Sequence, residues 1–389
     1  MHVVHLIEAL GSGGAERLLY TNLKHFDQTR IRSTVVTVYP HGTHWQDPIR
    51  ELGIEVVSLN CDSPRDLPSG IKRFRSWLRQ HEPDLIHSHL WAANVVARVA
   101  GRLAGIPVLS SIHNPDHEPQ VWQDGANVSR AKRWAAKSID RWTSWFGSTR
   151  MLAVSDYVRR SAHQSLHYPM SRIDLLYNPM DTDLLSSPVT RDRVELLREC
   201  GMPQDALLLL NVGRISPQKG LLYAVRALPR ILERHSNAHL VSVGATVDRD
   251  WVTRLIDEAR TLRVADHFHL VGARRDVADF LHACDVFVFP SLYEGLGIAL
   301  IEAMAAGCLC VATNTGPIPE FVEHGINGML VPPKDPEALA TAVCELLSNR
   351  EEFEQLAANA KDTVLDRFLP EAAAVRLTEI YEELLRNSR

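Results

Sequence analysis

The chain has 389 residues, 45% of them hydrophobic and 23% charged, with 21 Gly and 21 Pro at no fixed period. These values fit two or three globular domains and exclude collagen-like, low-complexity and disulfide-scaffold chains. The net charge of −5 divides unevenly, because residues 1–185 hold 21 Lys and Arg against 18 Asp and Glu while the remainder is acidic, which is far from a nucleic-acid-binding profile.

In chain order, short apolar runs alternate with longer amphipathic ones. VVHLIEAL (3–10) reads as a buried strand, followed by GSGG (11–14) and a helix from Ala15 to Phe26. Strands then follow at 33–39, 54–59, 84–89 and 106–112, with helices at 66–81 and 92–104 between them. Residues 177–190 carry two Pro and several polar residues, which marks a linker. The pattern restarts with ALLLLNVG (206–213) and continues with strands at 238–244, 267–272, 285–290 and 308–313. One more helix is expected from Pro370 to Arg386. Continuous apolar strands alternating with helices imply parallel sheets covered on both faces. The expected organisation is α/β with two Rossmann-like domains, residues 1–180 and 190–365, and a last helical segment, 366–389, crossing back to the first. In such sheets ligands bind beyond the carboxyl ends of the strands.

The six Cys form no Cys-x-x-Cys pair, which reads as free buried thiols in a reducing compartment. The N-terminus, MHVVHLIEAL, has neither the basic region nor the cleavage site of a signal peptide, and no run of about 18 apolar residues occurs. The expected location is cytoplasmic, including the inner face of the cytoplasmic membrane, with any membrane contact peripheral.

Three strand-to-helix loops carry the chemistry. Gly11 to Glu16 lets the backbone approach a ligand through Gly13 and Gly14, but Glu16 stands at the sixth position of a dinucleotide fingerprint and would repel a pyrophosphate. A phosphate or acceptor loop and a plain tight turn both remain open. NVGRISPQKG (211–220) places Arg214 and Lys219 around a turn before a helix, which suits a diphosphate; two solvated surface cations are the plainer alternative. In EGLGIALIEAM (294–304), Gly295, Leu296 and Gly297 open a helix whose free N–H groups can take phosphate. Glu294 precedes that helix and Glu302 lies eight residues on, about two turns away, in a mostly apolar stretch. Sugar hydroxyls would partner both carboxylates; a helix-dipole contact or an ion pair would also satisfy them.

His113 ends the fifth strand, where a cleft is expected. Asp181-Thr182-Asp183 and Asp248-Arg249-Asp250 have the spacing of metal-diphosphate ligands but lie in a linker and at a helix start, so no metal site is expected. Residues 130–146 place Trp134, Trp142 and Trp145 on one helical face, edged by Arg133, Lys137 and Arg141. The stripe suits an interfacial helix; a helix covering the sheet with Trp inside is the preferred reading.

Together these motifs resemble the retaining glycosyltransferases of family 4. The resemblance covers nearly the whole chain, with EGLGIALIEAMAAG (294–307) similar to the Glu-x7-Glu signature of that family. NVGRISPQKG, YNPMD (177–181), GPIPEFVEHGINGMLVPP (316–333), GSGGAE and AVSDYVRR (153–160) add to it. Pro179 stands where many relatives have Gly.

The resemblance implies the GT-B fold, with two Rossmann-like domains facing each other across a deep interdomain cleft, the first binding acceptor and the second nucleotide sugar. It implies His113, Glu294, Arg214 and Lys219 as catalytic residues. Gly13, Gly14, Arg214, Lys219, Glu294, Gly295, Leu296, Gly297 and Glu302 would bind the donor. No cofactor and no obligatory metal are implied. The expected partners are a nucleotide-sugar donor, a UDP-sugar before GDP-mannose, and a glycan or lipid-linked glycan acceptor, with peripheral membrane contact and no nucleic acid. The expected activity is transfer of a hexosyl or N-acetylhexosaminyl group in cell-surface polysaccharide or glycolipid synthesis. A sugar-nucleotide epimerase of the same architecture and an inactive glycosyltransferase-like subunit are the alternatives.

Overall fold

The structure is a computed structural model, and it describes residues 1–11, 13–119, 121, 129–180, 190–246 and 248–387. The chain divides into two compact units, Met1–Pro179 with Phe368–Arg389, and Met180–Arg367.

The first unit is built on seven strands: β1 (His2–Ile7), β2 (Arg32–Thr37), β3 (Glu55–Ser58), β4 (Leu85–His89), β5 (Val108–Ile112), β6 (Arg150–Ala153) and β7 (Ile173–Leu175). They form one parallel sheet in the order β3-β2-β1-β4-β5-β6-β7. The chain fills one half of the sheet from β1 outward, then crosses to β4, so the switch point lies between β1 and β4. Helices α1 (Gly14–His25), α2 (Gln46–Glu51), α3 (Leu67–His81), α4 (Trp91–Ala104), α5 (Arg130–Gly147) and α6 (Asp156–Leu166) connect them. Apolar strands buried on both faces need such cover. Accordingly, one core joins Val3, Ile7, Leu19, Leu23 and Leu85, and a second joins Val4, Leu6, Val36, Phe74 and Val96.

The second unit has six strands: β8 (Leu207–Val212), β9 (Ala238–Val243), β10 (Phe268–Gly272), β11 (Val286–Phe289), β12 (Cys310–Thr313) and β13 (Met329–Val331). Their order is β10-β9-β8-β11-β12-β13, again all parallel, with the switch between β8 and β11. The helices are α7 (Arg193–Glu199), α8 (Leu221–Leu232), α9 (Arg249–Thr261), α10 (Val277–Ala283), α11 (Ile298–Ala305), α12 (Pro336–Ser348) and α13 (Glu354–Arg367). Asp335 caps α12 by accepting from Ala338 N–H at 3.0 Å.

The last helix, α14 (Pro370–Asn387), joins the first unit. Leu377, Ile380, Tyr381 and Leu384 enter the same core as β1 and α1. Arg150 donates to Glu383 at 3.0 Å and Arg30 to Glu382 at 2.5 Å, which fixes the rotation of the helix about its axis. No helix of the described residues is long and apolar enough to cross a membrane.

Candidate active site

In the second unit, two loops meet at the switch point where β8 and β11 end. Gly220 begins α8 with φ +62°, and a Cβ there would lie 1.9 Å from the Pro290 carbonyl oxygen. Only glycine allows this approach. Leu292 N–H donates to the Gln218 carbonyl at 2.8 Å, and the Gln218 amide donates to the Tyr293 carbonyl at 3.1 Å. The clamped loops bring Lys219 Nζ to 2.7 Å from Glu294 Oε1. Lys219 also crosses Gly213 and lies 5.5 Å from the Phe289 ring centre. Arg214 is exposed and has no ion pair among the described residues. Gly297, at φ +99°, precedes α11 and supplies no side-chain cap, so the helix presents its first-turn N–H groups beside Gly295 and Leu296. Glu302 lies buried within α11.

The helix therefore starts at Ile298, which corrects the sequence expectation of two turns between the carboxylates. Glu294 sits in the preceding loop, and a little more than one helical turn leads on to Glu302. Tyr293 to Gly297 stay non-helical because the loop is pinned through Gln218.

In the first unit, the corresponding switch point lies between β1 and β4, with β5 beside β4. Gly13 precedes α1, and a Cβ on it would lie 2.4 Å from Glu16 Oε2. The acid thus folds back over Gly13 at the helix N-terminus. Gly14 has open space in the Cβ direction. His113 directly follows β5, with Nε2 3.2 Å from His89 Nδ1 at the end of β4. Burial pushes the His113 imidazole down to about 4, so it is neutral at pH 7. It lines a recess together with Asn94, Arg98, Asp140 and Ser161. The structure thus places the candidates in two sets, Gly13, Gly14 and His113 in one unit and Arg214, Lys219, Glu294 to Gly297 and Glu302 in the other.

Residues 192–363 match the family model described as Glycosyl transferases group 1, and residues 12–184 match Glycosyltransferase Family 4. Over 304 residues the chain is 30% identical to the uncharacterized glycosyltransferase MJ1607 of Methanocaldococcus jannaschii, covering 77% of this chain and 75% of that one. The chain belongs to glycosyltransferase family 4. The transferase is 22% identical to UDP-Gal:alpha-D-GlcNAc-diphosphoundecaprenol alpha-1,3-galactosyltransferase of Escherichia coli, over 90% of its own length and 87% of the relative. Among solved structures it is similar to Anabaena HepE in complex with UDP and glucose, at TM-score 0.85 and 22% identity, covering 98% of this chain and all of that one. It also resembles WaaG, a glycosyltransferase involved in lipopolysaccharide biosynthesis, at TM-score 0.75 and 19% identity, over 96% and 98% of the two chains. Its fold is that of the GT-B glycosyltransferases.

The transferase departs from the sequence expectation most clearly at α5. Trp134, Trp142 and Trp145 point outward, 71%, 60% and 54% exposed. The buried face is polar instead, formed by Asp140, Thr143 and Ser144. Asp140 pairs with fully buried Arg98 of α4 at 2.5 Å and with His117 at 2.7 Å. Burial raises the Asp140 carboxyl, but these two partners hold it below the usual carboxylate range. Gly147 lets α5 approach so closely that a Cβ would stand 2.0 Å from the Arg98 carbonyl oxygen.

Of the two Asp-x-Asp segments, Asp248 is a helix cap, accepting from Asp250 and Trp251 N–H at 2.9 and 3.2 Å. Asp181 and Asp183 lie outside the described residues. Sequence reasoning passed over His5, His87 and His89, although two His two residues apart in a buried strand share one face.

Proposed function

We propose that the transferase moves a sugar from a UDP-sugar, with GDP-mannose the next candidate, to a hydroxyl of a lipid-linked glycan, with retention of anomeric configuration. The supporting observation is Lys219, in the same loop after β8 as exposed Arg214, at 2.7 Å from Glu294, which leads into the uncapped N-terminus of α11 and on to buried Glu302. A diphosphate placed there would draw Lys219 from Glu294 and free that carboxylate for a sugar hydroxyl; Glu302 would take ribose hydroxyls. Arg214, Lys219 and the helix N-terminus would stabilise charge on the departing diphosphate. The leaving phosphate would accept the proton of the attacking hydroxyl while the new glycosidic bond forms on the same face. His113, neutral, would stand beside the sugar, and Gly13 and Gly14 would approach the phosphates. The two cations supply the neutralisation that a divalent ion otherwise provides, so no metal is required. HepE, bound to UDP and glucose, supports the uridine preference.

The lipid-linked acceptor and a peripheral contact at the cytoplasmic membrane face are supported by α5. Its three exposed Trp, with stacked Trp142 and Phe146 at 4.9 Å, are flanked by exposed Arg130, Lys132 and Arg141. Apolar rings edged by cations suit the interface of an anionic bilayer. The Escherichia coli relative is named for a diphosphoundecaprenol acceptor.

The test is incubation with UDP-glucose, UDP-GlcNAc, UDP-galactose or GDP-mannose and a polyprenyl-diphosphate sugar, followed by NMR of the product. A product with the anomeric configuration of its donor is expected. An inverted product contradicts the mechanism, and an epimerised donor without acceptor supports the epimerase alternative.

A further inference from the structure

Four imidazoles adjoin one another: His5 on β1, His87 and His89 on β4, and His113 just past the end of β5. Ring centres are 5.7 Å apart for His5 and His87, 4.2 Å for His87 and His89, and 5.4 Å for His89 and His113. Burial depresses all four: His5 to about 3, His113 to about 4, and His87 and His89 well below the usual value. Ligand atoms of His5, His87 and His89 lie within 4.8 Å of one another, which raises the question of a metal. Both nitrogens of His87 are already engaged, Nδ1 with the Tyr381 hydroxyl at 2.6 Å and Nε2 with Ser111 Oγ at 2.8 Å. A metal would have to break one of these bonds. Hydrogen bonding is the chemistry this cluster supports.

The contact between His89 Nδ1 and His113 Nε2 holds one proton between two neutral rings, so two arrangements exist. If His113 donated from Nε2, neutral His89 would carry its own proton on Nε2. That nitrogen is buried with no hydrogen-bond partner, and a buried N–H without an acceptor costs about 1–3 kcal/mol. If His89 donates from Nδ1, its Nε2 is a bare lone pair, the less costly of the two unsatisfied groups. His113 Nε2 then accepts, and His113 must carry its proton on Nδ1.

We infer that His89 is a positioning residue that fixes His113 as the Nδ1–H tautomer, so that His113 offers the donor sugar a hydrogen-bond donor and not a base. The tautomer stands on the geometry of the first unit alone; the role toward sugar rests on the function proposed above. A neutral histidine in water prefers the proton on Nε2, so the assignment reverses the default. It also agrees chemically with a reaction in which the leaving phosphate takes the acceptor proton.

The experiment is ¹⁵N NMR of the full chain labelled at histidine, with His113 signals identified by their loss in His113→Gln. At pH 7 the wild type is expected to show a protonated nitrogen at Nδ1 of His113 and an unprotonated one at Nε2. The reverse pattern overturns the inference. In His89→Phe the proton is expected to move to Nε2, with about a tenfold fall in kcat for sugar transfer, the worth of one hydrogen bond. His89→Asn, whose amide N–H₂ overlies Nδ1–H, is expected to restore both. A tautomer unchanged in a folded His89→Phe variant overturns the role of His89. An Nδ1–H signal that UDP-glucose and GDP-mannose both leave unmoved upholds the tautomer and contradicts the placement of His113 beside the sugar.

Discussion

At the scale of single residues, two glycines separate structural need from ligand access. Gly220 is required twice, by its φ of +62° and by the Pro290 carbonyl 1.9 Å from a would-be Cβ. Gly220→Ala should cost at least about 2 kcal/mol, the left-handed penalty plus a backbone clash, read as a lowered denaturant midpoint. Gly14 has neither constraint. Gly14→Ala should leave stability within about 0.5 kcal/mol while weakening UDP-sugar binding in a titration. Unchanged binding would reduce the loop to a turn shaped by Glu16. Arg214 and Lys219 could be picked out in the sequence because each stands in a short loop after an apolar strand. The partnership of Lys219 with Glu294 could not, since 75 residues separate them and only the β8–β11 pairing closes that distance.

At the scale of elements, α5 shows what periodicity leaves open. A helical period says which residues share a face, not which way the face points. The orientation is decided by a distant residue, Arg98, whose buried guanidinium needs the Asp140 carboxylate. With the polar face committed inward, the Trp face turns out. Replacing Trp134 and Trp142 together by Ser should abolish cosedimentation with phosphatidylglycerol vesicles and leave the melting temperature within about 2 °C, because both are exposed. Retained vesicle binding would contradict the proposed membrane face. The longer strands were legible as Val-, Ile- and Leu-rich runs between helical stretches. β7 and β13, of three residues each, were not, because such lengths carry no readable period; nor was β6, whose four residues Arg-Met-Leu-Ala include no β-branched one.

At the scale of the whole molecule, the same parallel-sheet plan is used twice, with switch points at β1/β4 and β8/β11. That repeat was legible because the strand–loop–helix pattern begins anew at residue 206. The first unit also buries a neutral histidine cluster, with a consequence for stability. A base whose folded pKa is depressed binds fewer protons folded than unfolded, so stability is present above the unfolded value near 6.5 and is lost as pH falls below it. His5, at about 3, and His113, at about 4, should each remove about 1.4 kcal/mol per pH unit between pH 6 and 5. Melting temperatures should therefore drop across that interval, and His5→Phe should drop less steeply. A flat profile from pH 7 to 5 would contradict neutral burial.

The proposed metal-independent nucleotide-diphosphate site on Arg214 and Lys219 is tested most directly by thermal stabilisation with UDP and GDP at matched millimolar concentrations, with and without EDTA. At about 100 times its dissociation constant a ligand adds roughly 2.7 kcal/mol. A UDP shift that survives EDTA and disappears in the Arg214→Ala/Lys219→Ala variant is expected; no shift with either nucleotide, or one that EDTA abolishes, would contradict such a site.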